Sequence, residues 1–242
     1  GIDLIRGFTG WPCFGVVPWL KAAAALPAED SVALARMSGP ADAGKPVIAI
    51  LELDHIANFD DFDPLMQEEA VDVVFVKAGE PIPDRAILVI IPGSKTTISD
   101  LEALRHQGWD GQLQRHISGG GHVLGICGGF QMLGRSISDP HGIEGAARTV
   151  AGLGHLNVET EMRPEKTVRL SAATSALFDA PIEGYEIHLG ETGGPDCARP
   201  FAHLGAKPDG AVSPGGQVSG TYLHGLFAND SFRRQFLQSI GV

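Results

Sequence analysis

Cys127 stands in Gly125-Ile126-Cys127-Gly128-Gly129, after the apolar run Gly121-His122-Val123-Leu124 and before the helix-compatible stretch Phe130-Gln131-Met132-Leu133-Gly134. A strand that ends in a glycine-flanked cysteine and turns at once into a helix is a nucleophile elbow with sulfur in place of a hydroxyl. The turn crowds the backbone, and a side chain at Gly125 or Gly129 would clash with it. The amides after Cys127 open a helix, where unpaired N–H donors and the positive end of the dipole favour a thiolate and a developing oxyanion. The same segment also fits a buried structural cysteine, since free cysteine is among the most buried residue types.

A thiol nucleophile needs a base that takes its proton and later returns it to the leaving group, and histidine has the suitable pKa. Among nine histidines, His224 in Gly220-Thr221-Tyr222-Leu223-His224-Gly225 ends a strand-like run and precedes a glycine, so it presents its ring as Cys127 presents its thiol. His188, in Gly184-Tyr185-Glu186-Ile187-His188-Leu189-Gly190, is the second candidate, and a hydrogen-bonded or substrate-facing histidine on a strand fits it equally. His55, His106, His116, His141 and His203 read as surface or loop residues.

The elements that must position these groups follow an alternating pattern. Apolar runs at 47–51, 71–76, 87–91 and 122–126 read as strands, and 62–70, 98–107 and 109–118 as helices. Strands apolar throughout and separated by helices indicate a largely parallel sheet covered on both faces, with ligands bound where its strands end. The second half adds strand-like pieces at 155–160, 167–170, 185–189, 201–204 and 217–223, then a helix at 230–240 capped by Asp230. Residues 14–20 look like a lone strand. The composition of 41–46 is that of a linker, which sets a boundary between a head of residues 1–40 and a main domain of residues 47–242.

A chain of 242 residues can bury a large core, and its formal charge of −11 argues against a nucleic-acid surface. No window reaches transmembrane length and the first residues lack a signal peptide's basic head, so the expected compartment is the cytoplasm, with no membrane partner. Cys13, Cys127 and Cys197 offer no short pairing and no CxxC metal site. A Gly-x-x-x-x-Gly-Lys-Ser/Thr phosphate loop is absent, and Gly93-Ser94-Lys95 lacks its spacing.

In motif order, Asn58-Phe59-Asp60-Asp61-Phe62-Asp63-Pro64-Leu65, Ile91-Pro92-Gly93-Ser94-Lys95, the Cys127 segment, Ile143-Glu144-Gly145, Gly152-Leu153-Gly154 and the two histidine segments resemble the class I glutamine amidotransferase domain of the cobyric acid synthase family. The opening residues, in Thr9-Gly10-Trp11-Pro12 and Gly15-Val16-Val17-Pro18, are similar to the end of that family's ATP-dependent synthetase domain. The resemblance implies an α/β, flavodoxin-like amidotransferase fold with extra strands in the second half. It implies glutamine hydrolysis at Cys127 with His224 as acid and base, and an oxyanion held by amides of Gly128 and the Gly93 loop. Gln131, His188 and Ser94 become candidates for holding substrate. The implied partners are glutamine, a synthetase domain of the same polypeptide that uses ATP and magnesium, and a corrin whose peripheral carboxylates receive the ammonia. No metal or cofactor is expected in this chain.

Many class I amidotransferases carry a glutamate two positions after the catalytic histidine, where Leu226 stands here. The resemblance is to a branch that also lacks it, so the expectation is a Cys/His pair whose imidazole is oriented by a backbone carbonyl or a partner, with low activity for the chain alone. Competing readings are an amidotransferase acting on cobyrinic acid or a cell-wall lipid precursor, a non-catalytic module that kept the fold, and a peptidase-like cysteine hydrolase.

Overall fold

The computed structural model describes residues 1–16, 44–178 and 180–242. After helix α1 (Ile2–Thr9), the first half carries strands β1 (Val47–Leu51), β2 (Ile56–Ala57), β3 (Asp72–Val76), β4 (Ala86–Ile91), β5 (Gly93–Ser94) and β6 (His122–Ile126). Its helices are α2 (Asp63–Met66), α3 (Thr97–His106), α4 (Trp109–Ser118) and α5 (Gly128–Leu133). The second half carries β7 (Ser136–Asp139), β8 (Arg148–Ala151), β9 (Glu159–Ser175), β10 (Pro181–Gly193), β11 (Ala202–Leu204), β12 (Lys207–Asp209), β13 (Ala211–Val212), β14 (Val218–Thr221) and β15 (Leu223–His224), then helix α6 (Asp230–Ser239).

The main sheet runs β13-β14-β6-β4-β1-β3. All its neighbours are parallel except the antiparallel edge pair β13 and β14. Every residue of β1 is fully buried, as an all-apolar strand covered on both faces must be. The order reverses at β1, which lies between β3 and β4, so a crevice opens beyond the carboxyl ends of β1 and β4. Cys127 follows the next strand over, β6.

A second, mostly antiparallel sheet of β12-β11-β9-β10-β15, with β7 and β8 attached through β9, forms one wall of that crevice. The α/β expectation with extra strands in the second half is therefore met. The pieces at 155–160 and 167–170 are revised: residues 155–158 form no strand, and a single β9 spans the rest. Its register against β10 jumps between Leu189 and Glu191, where residues 162–165, including Pro164, bulge from the ladder. A proline lacks the N–H a ladder needs, which is why the sequence reads as broken there.

Other corrections are local. In place of a helix at 62–70 there is a 3-10 turn, Phe59–Phe62, and the single turn of α2; beyond it Glu68 turns to Arg233, 2.6 Å away. Asn229, not Asp230, caps α6, its Oδ1 accepting from the amides of Ser231 and Phe232 at 3.0 Å each. The head holds helix α1, unforeseen in the sequence and with no buried residue; of the strand expected at 14–20, residues 14–16 are not in a strand and 17–20 lie outside the described residues. The linker expected at 41–46 is described only from residue 44. No described helix is long and apolar enough to cross a membrane.

Candidate active site

The elbow is held by close backbone contacts. A Cβ on Gly129 would lie 2.0 Å from the Ile91 carbonyl oxygen, and one on Gly125 would lie 2.6 Å from the backbone of Gly129. No side chain fits either place, so helix α5 packs directly against β6 and the end of β4. Cys127 at the apex has φ 52 and ψ −107, a conformation costly for a residue with a Cβ. Its amide donates to the Thr221 carbonyl at 2.8 Å, fastening the elbow to β14.

His224, at the end of β15, is buried and lines the same cavity as Cys127, whose Sγ donates to the Ile187 carbonyl at 3.4 Å. On the other side of the ring Nδ1 lies 2.6 Å from Oδ2 of Asp61, while Oδ1 of Asp61 accepts from the Gly225 amide at 2.7 Å. Tyr185 stacks on the imidazole with centroids 5.1 Å apart. Burial works to lower the pKa of His224, but the hydrogen bond to Asp61, then the neighbouring Cys127, outweigh it and push it up to about 10. Burial pushes the Asp61 carboxyl up, opposed by its bond to His224. With the ring raised so far, the proton shared with Asp61 resides on His224.

Asp61 corrects the expectation of a pair without a carboxylate. Leu226 is buried in the core, and the orienting acid arrives from the 3-10 turn after β2. The low activity expected of the chain alone loses the ground on which it stood. Of the three aspartates in Asn58-Phe59-Asp60-Asp61-Phe62-Asp63, only Asp61 is buried. Its position just before the core residue Phe62 is the one signal the sequence offered.

Cys127 and His224 open onto a cavity of about 240 Å³ whose walls include Asn58, Ser94, Lys95, Lys166, Gln131 and His188. Gly93 and Ser94 form β5, paired with Ala57 and Ile56 of β2. A Cβ on Gly93 would sit 3.1 Å from Cε1 of His224, and one on Gly128 would sit 3.0 Å from the Ser94 amide nitrogen. The two expected oxyanion segments therefore lie side by side, one against His224 and the other next to Cys127.

Gln131 is buried with its amide engaged: Nε2 donates to the Leu189 carbonyl at 2.8 Å and to the Tyr222 hydroxyl at 3.1 Å, and Oε1 accepts from Thr97 Oγ1 at 3.1 Å. It ties the elbow helix to β10. His188 stacks on Tyr222 at 3.9 Å, and its Nδ1 lies 3.2 Å from the Gly190 carbonyl oxygen. A carbonyl only accepts, so Nδ1 carries the proton, while Nε2 is buried without a hydrogen bond, 3.7 Å from Oε1 of Glu186. Burial holds this ring below its ordinary pKa and hence neutral.

Comparison with known proteins agrees with this architecture. The profile of the CobB/CobQ-like glutamine amidotransferase domain matches residues 47–232. A cobyric acid synthase of Rhizobium meliloti (strain 1021) is 58% identical over 243 residues, covering 100% of this chain and 50% of that protein. One from Brucella suis biovar 1 (strain 1330) is 59% identical over 242 residues, again with 100% and 50% coverage. The chain thus spans about half the length of the curated relatives it matches. Among solved structures, PurLQS from Thermotoga maritima superposes with a TM-score of 0.60 at 17% identity, over 81% of this chain and 97% of that one. A glutamine amidotransferase crystal structure gives 0.58 at 17% identity, over 81% and 99%, and both show likeness of fold. On the profile match and the identity to these relatives, the chain belongs to the CobB/CobQ-like glutamine amidotransferase domain family.

Proposed function

We propose that this chain is the glutaminase part of a cobyric acid synthase, releasing ammonia for ATP-dependent amidation of corrin carboxylates. The observation that carries the reading is the line Asp61–His224–Cys127 at the mouth of a closed elbow. The Cys127 thiolate attacks the side-chain carbonyl carbon of glutamine, and the oxyanion is held by backbone N–H groups of Gly128 and the Gly93 loop. The C–N bond then breaks as the His224 imidazolium protonates the departing amine, leaving ammonia and a glutamyl thioester on Cys127. Neutral His224 next takes a proton from water, which attacks the thioester and releases glutamate. Asp61 keeps the ring in the tautomer that points Nε2 at sulfur. Lys166 and Lys95 offer cations for the carboxylate of glutamine, and Ser94 and His188 line the same cavity.

The acceptor half of the reaction belongs to the remaining length of the relatives. There a synthetase domain would use ATP and magnesium to activate a carboxylate of adenosylcobyrinic acid a,c-diamide. Two surfaces support such a neighbour: Val168 and Leu170 are 66% and 90% exposed on β9 beside the cavity, and Leu4, Ile5 and Phe8 of helix α1 are unburied among the described residues. The head of residues 1–40 accordingly reads as part of that domain, and residues 47–242 as the amidotransferase.

A glutamine-mimicking chloroketone tests the glutaminase. It should alkylate Cys127 in the wild type and fail in His224→Ala; no labelling, or equal labelling of both, overturns the reading. For the acceptor, the full-length enzyme with ATP and glutamine should amidate the a,c-diamide in preference to cobyrinic acid. The reverse preference points to the related amidotransferase.

A further inference from the structure

Asp100 lies in the first turn of α3 and is fully buried. Its carboxylate joins two segments that meet at the thiol. Oδ2 accepts from Ser94 Oγ at 2.7 Å and from the His55 amide at 3.3 Å, and Oδ1 lies 2.8 Å from His55 Nδ1. The joined segments are β5 and the approach to β2, which also pair directly: Ile56 with Ser94, Ala57 with Gly93, and the Lys95 amide to the His55 carbonyl at 3.0 Å.

The ordinary explanation for an aspartate at this place is service to its own helix, whose first amides attract negative charge. Here that service is performed elsewhere. Glu144 accepts from the amides of Thr97 and Ile98 at 2.8 Å each, leaving Asp100 directed at β2 and β5. His55, read from the sequence as a surface or loop residue, is half exposed yet bound to it. The Asp100 hydrogen bond first, then its charge, raise the pKa of His55 and favour an ion pair.

What this clamp holds is close to the chemistry on both sides. Beyond Ala57 the chain passes through Asn58, at φ 54, into the turn that carries Asp61 to His224. The other segment abuts His224 at Gly93 and the elbow at Ser94, where a single added carbon would already come within 3.1 and 3.0 Å. A movement of a few tenths of an ångström in the β2–β5 ladder would therefore be felt at the oxyanion amides.

We propose that Asp100 is a positioning residue for the proposed reaction: by clamping β2 to β5 it fixes the Gly93–Ser94 backbone at the distance the oxyanion requires. It touches neither substrate nor reacting atoms, and the inference rests on the glutaminase reading.

Two reagents on the 242-residue chain separate this role from simple support of the fold. A glutamine-mimicking chloroketone passes through an oxyanion, whereas iodoacetamide alkylates by displacement at a saturated carbon and needs none. In Asp100→Asn the chloroketone rate should fall about 10- to 100-fold, since one oxyanion donor contributes about 10²- to 10³-fold. Ser94→Ala should show a smaller fall, and iodoacetamide rates should stay within about twofold in both, on the same transition-state argument. Chloroketone rates unchanged in both variants overturn the proposal. So does a parallel slowing with both reagents, which marks a general loss of structure. Should Asp100→Asn fail to fold, Ser94→Ala and the half-exposed His55→Ala decide by the same criteria. A wild type that reacts with iodoacetamide but resists the chloroketone defeats the glutaminase reading, and the clamp's role with it.

Discussion

Asp61 and His224, separated by 163 residues, meet at 2.6 Å through a carboxylate oxygen and Nδ1. The second oxygen of Asp61 holds the Gly225 amide, so the acid fixes both the ring and the backbone that bears it. Position in the fold thus supplies what Leu226 does not.

Replacing Asp61 with Asn keeps the size of the side chain but removes the charge that retains the proton on His224. Glutamine hydrolysis should lose about 10²-fold in kcat, the low end of what a positioned acid–base group contributes, with little change in KM. Steady-state ammonia release checks this, and an unchanged kcat would remove Asp61 from the account.

The raised pKa of His224 sets a pH dependence of stability. The unfolded ring titrates at its ordinary 6.5 and the folded one at about 10. A group raised on folding stabilises below its unfolded value, and that stabilisation is lost as pH climbs through the folded value. The melting midpoint should therefore fall between about pH 6.5 and about pH 10, and fall less steeply in Asp61→Asn.

Strain at the nucleophile should be measurable. Cys127 sits at φ 52, where a residue with a Cβ costs about 1–3 kcal/mol. Cys127→Gly should be more stable than Cys127→Ala by about 1 kcal/mol in urea unfolding, the glycine carrying no such cost. Equal stabilities would show that the elbow is relaxed.

The elbow glycines should separate packing from chemistry. In Gly129→Ala the methyl would fall 2.0 Å from the Ile91 carbonyl oxygen, and a loss of about 3 kcal/mol or more, or failure to fold, is expected. In Gly128→Ala the contact is 3.0 Å from the Ser94 amide, so the protein should fold while turnover falls. Circular dichroism and ammonia release distinguish the two.

The parallel layer was legible because its strands are unbroken apolar runs: β1, α4 and β6 lie where the sequence places them. The elbow was legible because glycine spacing reports close backbone approach, now seen at Gly125 and Gly129. Asp61 was not, since three nearby aspartates look alike in sequence and only tertiary contact selects the one facing His224. Asp100 was hidden for the same reason, its partners Ser94 and His55 being joined only by the β2–β5 ladder. The long β9 escaped because Pro164 interrupts its pattern, although the chain bulges there and resumes.

The central claim is that Cys127 attacks glutamine with His224 as its proton partner. Rapid acid quenching of the protein during incubation with glutamine, followed by peptide mass spectrometry, tests it most directly. The account predicts a glutamyl thioester on Cys127 in the wild type, absent in Cys127→Ala and strongly reduced in His224→Ala. Ammonia release that survives Cys127→Ala, with no glutamyl adduct on the wild-type cysteine, would contradict it.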